Sequence, residues 1–219
     1  MRGAKTIVET PPAGSVLLHG ISWTTYEKLL AEIEKSHQHL RLTYDEGELE
    51  IMVPSTEHER FKARIGRLIE AMTCELEIPI TSGGSTTFKS KLLKKGLEPD
   101  ECYWVAHARA VWKLTDFVFG RDPAPDLAIE VEVTETAVRR LGIYASLGIP
   151  EVWRWRKGKL VFLELADGEY DEIGKSRAFP FLTPEPIVRF IAEANKAPDE
   201  TAWIRKFTAW VRAEFGGKK

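Results

Sequence analysis

A chain of 219 residues is long enough to close one sizeable hydrophobic core, and 43% hydrophobic with 29% charged residues is the balance of an ordinary soluble globular protein. A formal net charge of −2 argues against a protein that coats nucleic acid non-specifically, so any nucleic-acid contact has to be local. No apolar run reaches the ~18 residues of a membrane span, the first residues lack a signal-peptide core, and Cys74 and Cys102 have no paired spacing. The expectation is a single domain over 1–219, cytoplasmic, without membrane association, disulfide framework or cysteine-rich zinc site.

Residues 1–20, with Pro11, Pro12 and Gly14, read as an extended arm. Ser22 then caps an amphipathic helix carrying Trp23, Tyr26, Leu30 and Ile33, and RLTYDEGELEIMV has the composition of a hairpin turning through Asp45–Glu48. From Thr56 a long helix places Phe61, Ile65, Leu68, Ile69, Met72 and Leu76 on one stripe, with Arg60, Lys62, Arg64 and Arg67 largely outside it. His58 points toward the stripe in the first turn, and Glu59 lies about 100° further round. Glu57, His58 and Glu59 also have an ordinary alternative as first-turn residues, the two carboxylates complementing the positive helix end.

Ile78–Phe88 reads as a strand interrupted by Ser82-Gly83-Gly84-Ser85. The following Lys89, Lys91, Lys94 and Lys95 form either a solvated loop or a rim able to grip phosphates. Asp100, after Pro99, opens an apolar, aromatic strand, and a linking segment with Trp112 and Phe117–Phe119 leads into PDLAIEVEV. That stretch has one apolar face, Leu127, Ile129, Val131 and Val133, and one facing the other way with Asp126, Ala128, Glu130 and Glu132. Such a strand belongs near the centre of a sheet, where crowded carboxylates need a positive partner, and a hard divalent cation is the usual one. Thr134–Gly148 reads as a short helix burying Ala137, Leu141, Tyr144, Ala145 and Gly148, with Arg139 facing away and Arg140 able to lean over the sheet. EVWRWR and LVFLEL make a further hairpin. The tail, 185–219, is helical around Pro186–Ala194 and Glu200–Phe215 and is structural.

At ~3.4 Å per residue Asp126 and Glu130 lie about 13 Å apart along the strand, too far to share an ion without a bulge, whereas Glu130 and Glu132 are about 7 Å apart. A carboxylate from a neighbouring strand serves better, and Asp100 is the natural candidate. Asp126 also reads as a strand-start or turn residue.

Asp100 after Pro99, then Glu130-Val131-Glu132 on a strand, flanked by a helix with His58-Glu59, resembles the PD-(D/E)XK nuclease superfamily. More closely, GISWTTYEKLL, RLTYDEGELEIMVPSTEHE, GSTTFK, GLEPDECYWV, PDLAIEVEVT and IYASLGIPEVWRW resemble, in order, the Uma-two family of restriction-endonuclease-like proteins. The resemblance implies an α/β fold: a restriction-endonuclease-like core with a central mixed β-sheet flanked by helices, an N-terminal helix-hairpin and C-terminal helices. It implies Asp100 and Glu130 as ligands of Mg²⁺ or Mn²⁺, the Val131 carbonyl as a third oxygen, Glu59 as an outer participant, DNA as partner and a homodimer for cutting both strands. Where the superfamily pattern has lysine this chain has Glu132. A lysine in the following helix takes over that role in many relatives, and the matching position is Arg140. A guanidinium cannot act as a base but can stabilise charge on a phosphate.

Three functions follow as alternatives. In a metal-dependent DNA endonuclease Glu132 completes a second metal site or accepts the water's proton, and Arg140 clamps the phosphate. A non-catalytic module keeps the nuclease fold to bind nucleic acid or protein. A small-molecule phosphohydrolase is the third.

Overall fold

The computed structural model describes residues 14–133 and 136–217. Two sheets meet at an angle of the chain where Pro99 and Asp100 pass from one to the other. The first contains β1 (Ser15–Leu18), β2 (Arg41–Asp45) and β3 (Glu48–Met52), with helix α1 (Trp23–Ser36) inserted between β1 and β2. Helix α2 (Thr56–Glu75) and β4 (Thr81–Ser82) follow, then β5 (Phe88–Ser90) and β6 (Lys95–Leu97), which complete the first sheet in the order β1-β3-β2-β6-β5. The second sheet adds β7 (Glu101–Trp104), α3 (Ala108–Val111), β8 (Leu127–Glu132), α4 (Arg140–Ser146), β9 (Glu151–Arg156), β10 (Lys159–Ala166) and β11 (Glu169–Ile173), ordered β11-β10-β9-β8-β7-β4. Helices α5 (Pro184–Ala194) and α6 (Glu200–Phe215) close the chain.

β8 lies inside the second sheet, antiparallel to β7 and parallel to β9. A parallel pair requires a crossover, and α4 supplies it. One face of β8 sends Leu127, Ile129 and Val131 into a core shared with α2, α5 and α6, where Ile65, Leu68, Met72, Phe190, Trp203 and Phe207 are buried. On the other face Ala128 packs with Val152, Cys102, Ile143, Tyr144 and Leu147. The strand is thus covered on both sides, which is why Glu130 is buried.

Most expected elements form. Ser22 and Ser55 cap α1 and α2 by accepting the backbone N–H groups of Thr25 and His58. Several expectations change. Part of the N-terminal arm, Ser15–Leu18, is a paired strand, whereas Pro11 and Pro12 lie outside the described residues. The helix read over Thr134–Gly148 spans only Arg140–Ser146; Thr134 and Glu135 lie outside the described residues. The amides of Ala137 and Val138, free to start a helix by sequence, donate instead to the Glu50 carboxylate on β3. The later start also moves the stripe: Arg140, Ile143, Tyr144 and Leu147 are buried, while Ala137, Leu141 and Ala145 are half-buried and Gly148 is exposed. Finally, Glu169–Ile173 forms an edge strand where no element was expected, paired to β10 through a turn at Asp167 and Gly168.

The first sheet is held to α1 by a stack of aromatics, with the Tyr26 and Tyr44 rings 4.7 Å apart and nearly parallel. Tyr26 lies directly over Gly96 on β6, so an added Cβ there would fall 2.9 Å from the Tyr26 Cζ. Gly96→Ala is therefore expected to destabilise the protein by about 1–3 kcal/mol through overpacking, read as a lower urea midpoint, while Gly142→Ala, with open space around its Cβ position, is expected to leave the midpoint unchanged or raise it.

Candidate functional site

The register Glu101↔Ile129 sets Asp100 beside Glu130 across β7 and β8, as their strand assignments required. Asp100 is 1% and Glu130 4% exposed, so neither is hydrated enough to stand alone. Each has instead been given an arginine. Asp100 Oδ1 faces Arg41 Nη1 and His58 Nε2, both at 3.1 Å, and its Oδ2 accepts the Val131 amide at 2.6 Å. Glu130 Oε1 lies 2.5 Å from Arg140 Nε, a close ionic contact off the hydrogen-bond direction. Its Oε2 accepts Arg140 Nη2 at 3.1 Å and the Tyr144 hydroxyl at 2.7 Å. All four carboxylate oxygens therefore lie within 3.1 Å of a protein cation or hydrogen-bond donor.

The arginines are anchored in turn. Arg140 Nη1 donates to Thr43 Oγ1 and Nη2 to the Glu98 carbonyl, both at 2.6 Å. Arg41 Nη1 donates to the Pro99 carbonyl at 2.8 Å. These bonds tie α4 and β8 to β2 and to the segment entering β7, so the site is the joint between the two sheets.

The electrostatics follow the contacts. Burial pushes the Asp100 carboxyl up, but the His58 hydrogen bond and the Arg41, His58 and Arg140 charges outweigh it and hold it below its ordinary value. Glu130 ends above its ordinary value because burial and the Asp100 charge exceed what Arg140 and Tyr144 return. Burial lowers the His58 imidazole, yet the Asp100 contact and charge carry it above its ordinary value. Glu59 Oε1 sits 3.3 Å from His58 Nδ1, so both ring nitrogens face a carboxylate, which favours the doubly protonated ring.

The other expected site residues are placed less centrally. The Glu59 side chain is 47% exposed and shared among His58, Arg41 at 3.6 Å and Lys62 at 3.5 Å. Glu132 lies on the Glu130 face against Arg156 at 3.4 Å. Asp126 accepts the amides of Val105 and His107 and meets the His107 ring, a turn-holding role. Arg41, Thr43, Glu50 and Tyr144 were not singled out as site residues. The signal for the first three was the alternation of the β2–β3 hairpin, whose register Thr43↔Glu50 puts them on one polar face that turns inward.

A hard divalent ion needs about six oxygen donors. Here the Asp100 and Glu130 oxygens are already engaged by Arg41, Arg140, His58, the Val131 amide and the Tyr144 hydroxyl, and the adjoining cavity of about 50 Å³ is lined by Thr43, Glu50, His58, Glu130 and Arg140 among others. Among the described residues no group of three or more His, Cys, Asp or Glu side chains is arranged to hold a metal. The expected Mg²⁺ or Mn²⁺ centre does not fit this arrangement, because guanidinium groups hold the positions that its ligands would offer.

A mixed sheet with an Asp and a Glu brought together on adjacent strands, and helices on both faces, is the restriction-endonuclease-like fold. The chain belongs to the Uma2 family, described as "Putative restriction endonuclease", whose model matches residues 23–195. No curated protein matches the chain.

Arg140→Ala would leave Glu130 buried and unpaired and is expected to cost about 3–5 kcal/mol in urea unfolding. Tyr144→Phe removes one hydrogen bond to the same charged carboxylate and is expected to cost less, about 1.5–3 kcal/mol. Equal effects would mean that Arg140 is not the principal partner.

Proposed function

We propose that the chain is a DNA-binding protein on a nuclease scaffold, gripping the phosphate backbone on the solvent-open part of the sheet face that carries Glu130, at the turn from β9 to β10, with its buried acidic pair closed by arginines. The supporting observation is a cationic groove continuing that face. The parallel register sets Arg154 beside Glu130 and Arg156 beside Glu132. With Lys157, Lys159 and Val161 these arginines line an open cavity of about 400 Å³. Lys157 and Lys159 are exposed at the turn between β9 and β10. A concentrated positive groove on a chain of net charge −2 matches a local polyanion contact. The lysine-rich hairpin is the weaker candidate rim: Lys95 is engaged by Asp45 and Glu46, and Lys89 lies 3.5 Å from Glu27, leaving Lys91 and Lys94 exposed at the tip.

A second reading, metal-dependent endonuclease, draws on the family description and on the meeting of Asp100 with Glu130. In it those two residues would hold Mg²⁺ or Mn²⁺ in place of their arginines, Glu132 and Glu59 would assist, Arg140 would turn to the scissile phosphate, and a homodimer would cut the two strands. The ion-paired geometry favours the first reading. Among the described residues no helix is long and apolar enough to cross a membrane.

Fluorescence anisotropy with a labelled duplex tests the groove. Lys157→Glu with Lys159→Glu is expected to weaken binding by about tenfold or more and to reduce the salt slope by roughly 2, whereas Lys91→Glu with Lys94→Glu changes little. The reverse pattern would move the contact to the hairpin, and no binding by the wild type would reject the DNA reading. Supercoiled plasmid incubated with Mg²⁺ or Mn²⁺ is expected to stay intact; nicking that Glu130→Ala abolishes would establish the endonuclease.

A further inference from the structure

We propose that the Arg140 guanidinium is the resident cation of the acidic centre, standing in for a divalent ion and turning the pair of carboxylates into a metal-free clamp between the two sheets. This deepens the closed-centre reading above. It rests on charge, geometry and anchoring.

The charges already balance. Asp100 and Glu130 carry two negative charges, Arg41 and Arg140, each buried, carry two positive ones within 2.5–3.1 Å of them, and a protonated His58 against Asp100 is matched by Glu59 at 3.3 Å on its other side. A divalent ion added to this set would be two uncompensated charges in a desolvated place, which is prohibitive without a counter-ion. Entry therefore requires a guanidinium to leave.

Leaving is costly for Arg140 in particular. Its fork spans Glu130, the Thr43 hydroxyl and the Glu98 carbonyl, so departure would orphan partners on β8, on β2 and before β7 together. A lysine at this position would bring one compact charge that cannot bond Glu130, Thr43 and the Glu98 carbonyl as a planar fork does. The exchange of lysine for arginine is thus the difference between a side chain beside a centre and one that fills it. Thr43 contributes to the same end: its hydroxyl, 2.6 Å from Nη1, fixes the plane of the guanidinium against Glu130.

Manganese alone is the probe, with free Mn²⁺ followed by electron paramagnetic resonance and unfolding followed by thermal melting. At about 1 mM Mn²⁺, enough to load ordinary carboxylate sites, the wild type is expected to show no site that Glu130→Gln removes, and a melting temperature unmoved by the metal. Arg140→Gln loses the cation and is expected to bind one Mn²⁺ per chain about tenfold or more tightly than the wild type, with the metal restoring part of its lost melting temperature. If Arg140→Gln does not fold, Arg140→Met carries the same comparison, since it too loses the charge while keeping much of the side chain's length. One Mn²⁺ per wild-type chain, lost in Glu130→Gln, would overturn the proposal, as would a folded Arg140 variant no better at binding Mn²⁺ than the wild type. Duplex affinity in the same samples reads the DNA proposal separately, because the groove lysines are unaltered.

Discussion

The structure depends on how two buried carboxylates are neutralised. Asp100 and Glu130 are placed side by side by strand register, and a pair of like charges out of water is untenable without positive partners. Arg41 from the first sheet and Arg140 from the crossover helix meet that requirement. Because the two arginines are anchored on different elements, satisfying the charges also fixes how the sheets meet. The electrostatic solution and the tertiary arrangement are one constraint.

Secondary contacts around this centre follow the same logic. Glu50 turns inward from β3 to accept the Ala137 and Val138 amides, which delays the start of α4 until Arg140 and so aims that residue at Glu130. Val131 donates its amide to Asp100, coupling the end of β8 to the start of β7. His58 stands between Asp100 and Glu59, bridging the buried carboxylate to a half-exposed one. Breaking the Arg140 contact is thus a change in packing as much as in charge.

Much of this was legible in the residues. The two-residue period of PDLAIEVEV located the inner strand and its acidic face, and the strand rise dismissed Asp126 as a partner for Glu130 in favour of Asp100. The helical stripes, the Ser22 and Ser55 caps and the hairpin turns were equally local signals. What sequence could not carry was the identity of the counter-charge. Carboxylates that need a positive partner look the same whether a metal or a guanidinium supplies it, and Arg41 lies 59 residues from Asp100 with no periodicity linking them. The short form of α4 was hidden for a similar reason, since Glu50, 87 residues before Ala137, takes the amide that helix propensity would have used.

Membership of the Uma2 family describes the scaffold, and a fold hosts more than one chemistry. In this chain the position that decides between them is Arg140. The most direct test is a crystal grown with Mn²⁺ and measured at the manganese absorption edge. The account predicts no anomalous peak between Asp100 and Glu130, with the Arg140 guanidinium against Glu130 and Thr43. A strong peak bridging the two carboxylates, with Arg140 displaced from Glu130, would contradict it.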